Sequence, residues 1–484
     1  MAQTIKRHST LSERVLKIMG IFSGVQIVSI LCSIVRTKLV AVWLGPTGIG
    51  LFGLYNSALE TIGSLSQMSM GIGVVRQLAV TPRQAIPRLV RIIRRWGIAL
   101  GIAGAFVTLA LSPWLSRFTF GDSSHTPGFV ALSAAVLMIA ISNNESAVFQ
   151  GMKQYAGLAR ATTGGVILGL AVSIPMYWFW GLDSIVPSLL AYAGATWLCR
   201  GVYRARVEGP VPRISARETF TTGKTFAVLG IYITVTTFAT NAVSYIFMSY
   251  LNMKAGTETA GFYQAGFTLV NRYVGLVLTA IGMEYLPRLS QVNASARRVR
   301  IFLSHEIILI LLVMFPVVTL FVTADELIVR VLYDAEFLVM LPFITWAVIG
   351  TVFRAWSWCM AFVILARNDG KMFLITELAS SVVAIALNIF FYDRWGIAGL
   401  GYAYTLWYIA YTLIVWAVCR RRYGMRLNPM AVRLPLTVFA VCVLAALFRS
   451  GWGWWGAVPL TFLSLLVSGF GLRRLLGSRR ANGA

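Results

Sequence analysis

Acidic residues are scarce in this 484-residue chain: Asp and Glu number 17, against 42 Lys and Arg. Charged residues together make up 12% of the sequence, whereas 58% is hydrophobic and the mean hydropathy is +0.75. This composition is far more apolar than that of an ordinary soluble domain, whose core could not absorb so many apolar residues. The shortage of charge therefore excludes a water-soluble globular protein and predicts a protein that lies in a membrane.

Cysteine and histidine are also rare, and their placement excludes the sites that they usually build. The five cysteines lie in or at the ends of apolar segments without a CxxC pair, so we interpret them as packing residues. The three histidines are isolated, and His305 with Glu306 lacks the second histidine of an HExxH zinc motif. A P-loop lysine after a strand is missing as well. The sequence thus predicts no metal, no nucleotide and no other cofactor.

Apolar runs of membrane-spanning length follow one another along almost the whole chain. A helix needs about 20 apolar residues to cross about 30 Å of hydrocarbon, at 1.5 Å per residue. Because lipid offers no hydrogen bonds to the backbone, each run is predicted to be helical. The runs lie at 18–40, 50–79, 92–115, 128–149, 161–180, 184–203, 225–251, 261–283, 303–323, 339–366, 372–392, 396–419, 434–449 and 456–472. The predicted fold is an all-α polytopic membrane protein with about 14 transmembrane helices.

The cations are gathered in every second connection between these runs. Arginine and lysine cluster near 83–95, 153–160, 204–224, 288–300, 367–371, 420–433 and 473–480, whereas the alternate connections hold few. By the positive-inside rule, the cation-rich side faces the cytoplasm, together with both termini. The formal charge of +25 is then mainly topological, with some attraction to anionic membrane lipids. A nucleic-acid partner is not predicted, because the cations do not form a basic face interleaved with stacking aromatics.

Every connection is short, and none resembles a soluble domain. Membrane polymerases and ligases usually carry their chemistry on a sizeable extramembrane loop, which this chain does not offer. We therefore do not predict an enzyme. A transporter, or a membrane scaffold without transport activity, remains compatible with the pattern.

An internal repeat relates the two halves of the chain. Residues 50–79 align without gaps on 261–290 at an offset of about 211, and 179–184 match 394–399 at about 215. Six helices per repeat leave both halves in the same orientation, related by an axis along the membrane normal. The repeat predicts a first six-helix bundle at 1–217 and a second at 218–423. The remaining segment, 424–484, adds two helices that either pack peripherally or line a lipid-accessible groove.

The stretch "VRTKLVAVWLGPTGIGLFGLYNSALETIGSLSQMSMGIGVVRQLA" at 35–79 resembles a known transporter family. It has a basic residue before an "LGPxGxG" turn and a glycine-rich helix end, as in the Wzx-type oligosaccharide flippases. These belong to the multidrug/oligosaccharidyl-lipid/polysaccharide exporter superfamily, and residues 261–291 and 397–423 are similar to the family as well. The resemblance covers about 10–423, so the last two helices depart from it.

The resemblance implies two six-helix bundles arranged as a V around a central cationic cavity. The implied activity is flipping of an undecaprenyl-diphosphate-linked oligosaccharide, such as an O-antigen unit, for lipopolysaccharide or other polysaccharide biosynthesis. The substrate would move by alternating access from the cytoplasmic to the periplasmic leaflet of the bacterial inner membrane. Other polysaccharide-assembly membrane proteins are possible partners. The alternatives are a multidrug or other small-molecule exporter of the same superfamily and, further away, a glycan polymerase or ligase.

Charged residues within the spans are the candidate functional residues, because a charge at membrane depth costs about 2.5–3.5 kcal/mol and tends to face a cavity or a partner. Guanidinium groups suit a diphosphate better than ammonium groups do. The alternatives are snorkelling to the headgroups, above all for Arg76, and ion pairing with Glu60 or Glu377. The substrate-binding candidates are Arg36, Lys38, Arg76, Arg272 and Arg354.

Three carboxylates and four helix-bending residues complete the candidates. A carboxyl desolvated within the membrane could bind a coupling proton or cation, although structural pairing is the alternative. The coupling candidates are Glu60, Glu145 and Glu377. Glycine and proline would let helices bend as access alternates, although close helix packing explains the glycines equally well. The hinge candidates are Gly71, Gly73, Gly282 and Pro287.

Overall fold

The computed structural model describes residues 2–67, 70–207, 214–292 and 295–482. Fifteen α-helices account for most of these residues, and no strand occurs among them. In chain order the helices are α1 Ala2–Gln67, α2 Met70–Val80, α3 Ile86–Ala110, α4 Ser112–Phe120, α5 Thr126–Gly151, α6 Tyr155–Trp180, α7 Ile185–Val202, α8 Ala216–Thr268, α9 Leu276–Val292, α10 Ala296–Thr323, α11 Asp325–Leu332, α12 Leu341–Ala366, α13 Gly370–Tyr423, α14 Pro429–Trp452 and α15 Trp454–Asn482. A π-helical turn, Leu269–Val274, connects α8 to α9.

Four of the long helical segments are divided by a glycine whose φ angle is positive. Gly45 divides α1 with φ of 64°, and Gly256 divides α8 with φ of 84°. Gly181 separates α6 from α7 with φ of 56°, and Gly396 divides α13 with φ of 58°. Only glycine adopts such angles readily, because it lacks a Cβ. Gly45 and Gly256 are separated by 211 residues, the offset of the first repeat alignment, and Gly181 and Gly396 are equivalent in the second, so the backbone supports the internal repeat.

Ten helical segments in the described ranges are long and apolar enough to cross a membrane. Four of them have 42 to 54 residues and contain one of these glycines, so each is divided into two stretches that we count as separate crossings. Fourteen crossings result, and the prediction of an all-α, multi-pass membrane protein with about 14 membrane helices is confirmed.

The chain divides into two compact units, Met1–Ala260 and Gly261–Ala484. In the first unit, α5 packs against α3 and α7, while α6 packs against α1 and α7. A buried cluster with Ile93, Val148 and Phe149 at its centre holds the ends of α3 and α5 together. The predicted boundaries at 217 and 423 stay a prediction.

In the second unit, α10 and α12 are the central helices. Of their most apolar stretches, 67% and 61% of residues are buried, against 33% or less for the other candidate spans. The last two helices, α14 and α15, pack on α10. Hydroxyl pairs connect α10 to α15, with 2.7 Å between Thr319 and Ser464 and 2.7 Å between Thr323 and Thr461. The additional segment is thus anchored to the centre of its own unit.

Candidate functional site

Arg36 of α1 lies between two aromatic rings in the first unit. Its guanidinium carbon is 4.8 Å from the centroid of the Phe52 ring and 4.8 Å from that of Tyr192. Phe52 follows the Gly45 turn, which folds α1 back on itself, and Tyr192 comes from α7. Within the described ranges Arg36 has neither an ion pair nor a hydrogen bond. Aromatic faces attract a cation without neutralising it, so the positive charge of Arg36 stays available to an anion.

The other deep charges of the first unit have different surroundings. Lys38 is half-buried, whereas Arg76 on α2 and Glu60 on α1 are exposed. Glu60 accepts a hydrogen bond at 2.9 Å from the Asn56 side chain, one turn earlier. The exposure of Arg76 is compatible with both a cavity and a headgroup contact, so its role stays a prediction.

Glu145 on α5 forms the most complete ion pair of the first unit. Arg94 of α3 donates to both carboxylate oxygens, at 2.8 Å from Nε and 2.6 Å from Nη2. The backbone N–H of Ala205 donates to the same carboxylate at 3.0 Å, and the Ala205 carbonyl accepts from Arg94 at 3.2 Å. This arrangement connects α3, α5 and the segment after α7. Such an ion pair is what we gave as the structural alternative to ion coupling for Glu145. A role of Glu145 in coupling stays a prediction.

Arg354 of α12 lies beside tyrosines in the second unit. Its Nη1 atom is 3.4 Å from the Tyr404 hydroxyl, and its guanidinium carbon lies 5.9 Å from the centroid of the Tyr408 ring. Tyr404 in turn donates to the side-chain oxygen of Asn271 at 3.2 Å. Arg354 has no ion pair in the part of the chain that the structure describes. Both Arg36 and Arg354 are therefore positioned by aromatic residues rather than by carboxylates.

The π-helical turn brings Asn271 to this position. Such turns insert one extra residue into a helix and are frequent at functional sites. Gly275 follows the turn, and a Cβ there would lie 2.1 Å from the Asn271 carbonyl oxygen and 3.4 Å from Nη2 of Arg354. A glycine is thus required where the backbone passes close to the arginine. Arg272, in the same turn, is exposed.

Glu377 on α13 is half-buried and accepts a very short hydrogen bond from the Tyr411 hydroxyl. Within the described residues it forms no ion pair with Arg354. A carboxylate held by a phenol can still exchange a proton, and ion coupling by Glu377 stays a prediction.

The hinge candidates differ in how tightly they are packed. A Cβ on Gly282 would lie 2.8 Å from the Trp358 ring, so close packing already accounts for this glycine. A Cβ on Gly71 would meet only Ala147, at 4.0 Å, and packing does not require a glycine there. Gly73 is buried. Pro287 lies within α9, and its side chain falls outside the described part of the structure.

Sequence reasoning identified the two arginines but missed the aromatic residues that hold them. The run "YAYTLWYIAY" at 402–411 contains five aromatic residues in ten positions, which was the available signal. Phe52 and Tyr192 gave no such signal, because single aromatic residues are common in membrane helices. Their importance depends on a contact between α1 and α7.

These observations define a helical, multi-pass membrane protein with two arginines in its spans that have no carboxylate partner among the described residues. Solved structures show the same fold. An inward-facing multidrug resistance MATE transporter of the MOP superfamily matches with a TM-score of 0.68, at 13% identity, over 84% of this chain and 96% of that one. The lipid II flippase MurJ, in an inward closed conformation, matches with a TM-score of 0.65, at 13% identity, over 95% of this chain and 99% of MurJ.

A family model described as "Polysaccharide biosynthesis protein" matches residues 44–342, which is more than half of the chain. The chain therefore belongs to this family of polysaccharide biosynthesis proteins. The lipid III flippases of Escherichia coli (strain K12) and Shigella flexneri are each 22% identical to it over 409 residues. These matches cover 80% of this chain and 94% of each relative. The resemblance seen in the sequence is confirmed.

Proposed function

We propose that this protein flips an undecaprenyl-diphosphate-linked oligosaccharide, such as an O-antigen unit, from the cytoplasmic to the periplasmic leaflet. The observation that carries the proposal is that each unit has a membrane arginine, Arg36 in the first and Arg354 in the second, without a carboxylate partner in the described part of the chain. On insertion scales, an arginine at the centre of a membrane helix costs about 2.5–3.5 kcal/mol of free energy. Charge-assisted hydrogen bonds from the arginines to the oxygens of a diphosphate would offset this cost.

Family membership and the flippase names of the relatives support this substrate class. The concentration of cations in every second connection supports cytoplasmic termini. The bacterial flippases among the relatives support an inner-membrane location. In this proposal the protein acts by alternating access and performs no covalent chemistry. Arg272, Lys38 and Arg76 would assist the binding of the diphosphate, while Glu60, Glu145 and Glu377 are the candidates for coupling. Bending near Gly71 and Gly73, with Gly282 and Pro287 in the second unit, would accompany the change of access.

The test compares a strain without the protein with strains carrying single variants. Removal should cause the lipid-linked oligosaccharide to accumulate on the cytoplasmic leaflet. Arg36→Ala and Arg354→Ala should reduce delivery to the periplasm at least tenfold, and Arg354→Lys should retain part of it, because a lysine keeps the charge but not the fork of donors. Arg272→Ala is expected to behave like Arg354→Ala.

Arg394→Ala is the matched control, since Arg394 is an exposed arginine of the second unit that rests on Phe390 at 5.3 Å. It removes the same charge and should leave delivery unchanged. Normal delivery in the strain without the protein would overturn the proposal, and full activity of both alanine variants would remove Arg36 and Arg354 from the substrate site.

Export of small cationic compounds is the rival function. A guanidinium group without a carboxylate partner repels such compounds, so the positive charge of each arginine favours an anionic substrate. An efflux assay with a cationic dye should show no difference between cells with and without the protein.

A further inference from the structure

A cavity of about 430 Å³ lies in the first unit, between the ends of α3, α5 and α7 on the side of the cation-rich connections. We name it the Arg200 pocket. Its lining residues are Arg94, Ile98, Ile141, Ser142, Asn144, Glu145, Trp197, Leu198, Arg200, Gly201, Val202 and Arg204. None of the five substrate-binding candidates lines this pocket, and Glu145 is the one coupling candidate that does, so the pocket is distinct from the surroundings of Arg36 and Arg354.

Three buried polar atoms of this lining have no hydrogen-bond partner in the described part of the chain. They are Nε of Arg200, Oγ of Ser142 and the side-chain oxygen of Asn144. A buried polar atom without a partner costs about 1–3 kcal/mol, and native proteins contain few of them. All three atoms belong to residues that line the cavity, so these polar groups without a protein partner favour a polar ligand there.

The charge of the pocket favours an anionic ligand. Glu145 is neutralised by Arg94, with 2.6 Å between Nη2 and Oε1. Arg200 and Arg204 have no ion pair within the described ranges, so two positive charges remain. A basic pocket between membrane helices on the cytoplasmic side is the kind of site that binds anionic lipid headgroups.

The apolar rim of the pocket favours a ligand that enters from the lipid. Trp197, Leu198 and Val202 are 39%, 53% and 79% exposed on α7, and Ile98 is 43% exposed on α3. These apolar side chains lie in candidate membrane spans and flank the opening. A ligand with hydrocarbon chains next to its charged group would contact all four of them.

We propose that the Arg200 pocket binds the headgroup of an anionic glycerophospholipid. The lipid phosphate accepts from Arg200, Arg204 and Ser142, and a headgroup hydroxyl donates to Asn144. The acyl chains pass between Ile98 and Leu198 into the bilayer. The bound lipid compensates the charge of Arg200 and Arg204 and bridges α3, α5 and α7.

The test measures phospholipid retention by the purified full-length protein with native mass spectrometry. Wild type should retain one phosphatidylglycerol at concentrations where phosphatidylcholine is lost. The double variant Arg200→Gln with Arg204→Gln should bind phosphatidylglycerol at least tenfold more weakly. Arg83→Gln is the control, because Arg83 is an exposed cation of the same side that lies outside the pocket.

A second variant keeps both arginines and blocks the path of the acyl chains. Ile98→Trp should lose the lipid as well, while its elution as a single folded species shows that the unit is intact. Equal retention of phosphatidylglycerol by wild type and the double variant would overturn the proposal, as would equal retention of the two lipids by wild type. Displacement of phosphatidylglycerol by free glycerol phosphate at equal concentration would assign the pocket to a soluble phosphate. Displacement by undecaprenyl phosphate would assign it to the carrier lipid. Either result would overturn the proposal.

Discussion

Lys153 and Asn368 lie 215 residues apart and share a left-handed backbone conformation, with φ of 57° and 56°. Each lies two residues after the end of a helix of 26 residues, Lys153 after α5 and Asn368 after α12. The next residue donates to a carbonyl five positions back, from Gln154 to Phe149 at 2.9 Å and from Asp369 to Ile364 at 3.2 Å. The offset equals that of the second repeat alignment, so equivalent helices of the two halves end in the same way.

The first prediction concerns this conformation. A residue other than glycine costs about 1–2 kcal/mol in the left-handed region, and asparagine costs less. Lys153→Gly should therefore raise the free energy of unfolding by about 0.5–1 kcal/mol, and Asn368→Gly should raise it by less. Thermal unfolding in detergent measures both. Gln150→Gly, in the last turn of α5, should instead lower stability by about 0.5–1 kcal/mol; stabilisation there would contradict the explanation.

The second prediction separates a structural from a coupling role of Glu145. Arg94→Ala leaves a buried carboxylate without its partner and should destabilise the protein by about 3–5 kcal/mol. Replacing both residues by methionine should recover much of this loss, because no charge then remains buried. Glu145→Gln should retain transport if the pair is structural. Loss of transport by a folded Glu145→Gln protein would assign Glu145 to coupling.

The third prediction concerns Tyr404, which we interpret as a positioning residue for Arg354. Tyr404→Phe removes the hydroxyl that Arg354 and Asn271 share, so transport should fall about tenfold through weaker substrate binding. Raising the substrate concentration should restore most of the rate. Tyr333→Phe is the control, because its hydroxyl donates to the Ala265 carbonyl at 3.0 Å, and that variant should lose stability without this dependence on substrate.

The fourth prediction concerns the attachment of the last two helices. Arg449 of α14 donates to Asp325 at 2.8 Å, and the hydroxyl pairs described above connect α10 to α15. Interhelical hydrogen bonds in membranes contribute about 0.6 kcal/mol each on average. Thr461→Val should therefore lower the free energy of unfolding by about that amount, whereas Arg449→Met, which leaves Asp325 buried and unpaired, should cost several times more. Equal losses of unfolding free energy in Thr461→Val and Arg449→Met would contradict this prediction.

The fifth prediction is a pH dependence that involves Asp369. Burial raises the pKa of this carboxyl, but hydrogen bonds from Tyr423, the Met372 backbone and Arg422 outweigh it and hold the pKa below its usual value. A carboxyl whose pKa is depressed by folding contributes stability above its unfolded pKa of about 3.9. That contribution is lost as the pH falls through the folded pKa.

Asp369→Asn should therefore lower stability at neutral pH and flatten the loss of stability in acid below about pH 4. Thermal unfolding of the variant and of wild type between neutral and acidic pH measures the difference. Asp183→Asn, which removes an exposed carboxyl, should leave the acid profile unchanged. A wild-type profile for Asp369→Asn would show that these hydrogen bonds do not stabilise the folded state.

Several features of the protein are determined by the sequence alone. Membrane helices need one hydrophobic stretch each, so their number and type follow from local composition. The repeat was visible as well, because residues 50–79 align on 261–290 and residues 179–184 match 394–399 at nearly the same offset. Arg36 and Arg354 could be selected because a charge inside an apolar run is conspicuous wherever it occurs.

Only the tertiary structure decided what these charges contact. Glu145 and Arg36 look alike in the sequence, as isolated charges in apolar runs, yet Glu145 meets Arg94 and Arg36 meets Phe52 and Tyr192. The Arg200 pocket likewise requires three helices to meet. Hydrophobicity is a property of each segment, whereas ion pairs and cavities depend on distances of a few ångströms between residues far apart in the chain. A single sequence contains the first kind of information directly and the second only through the packing of its helices.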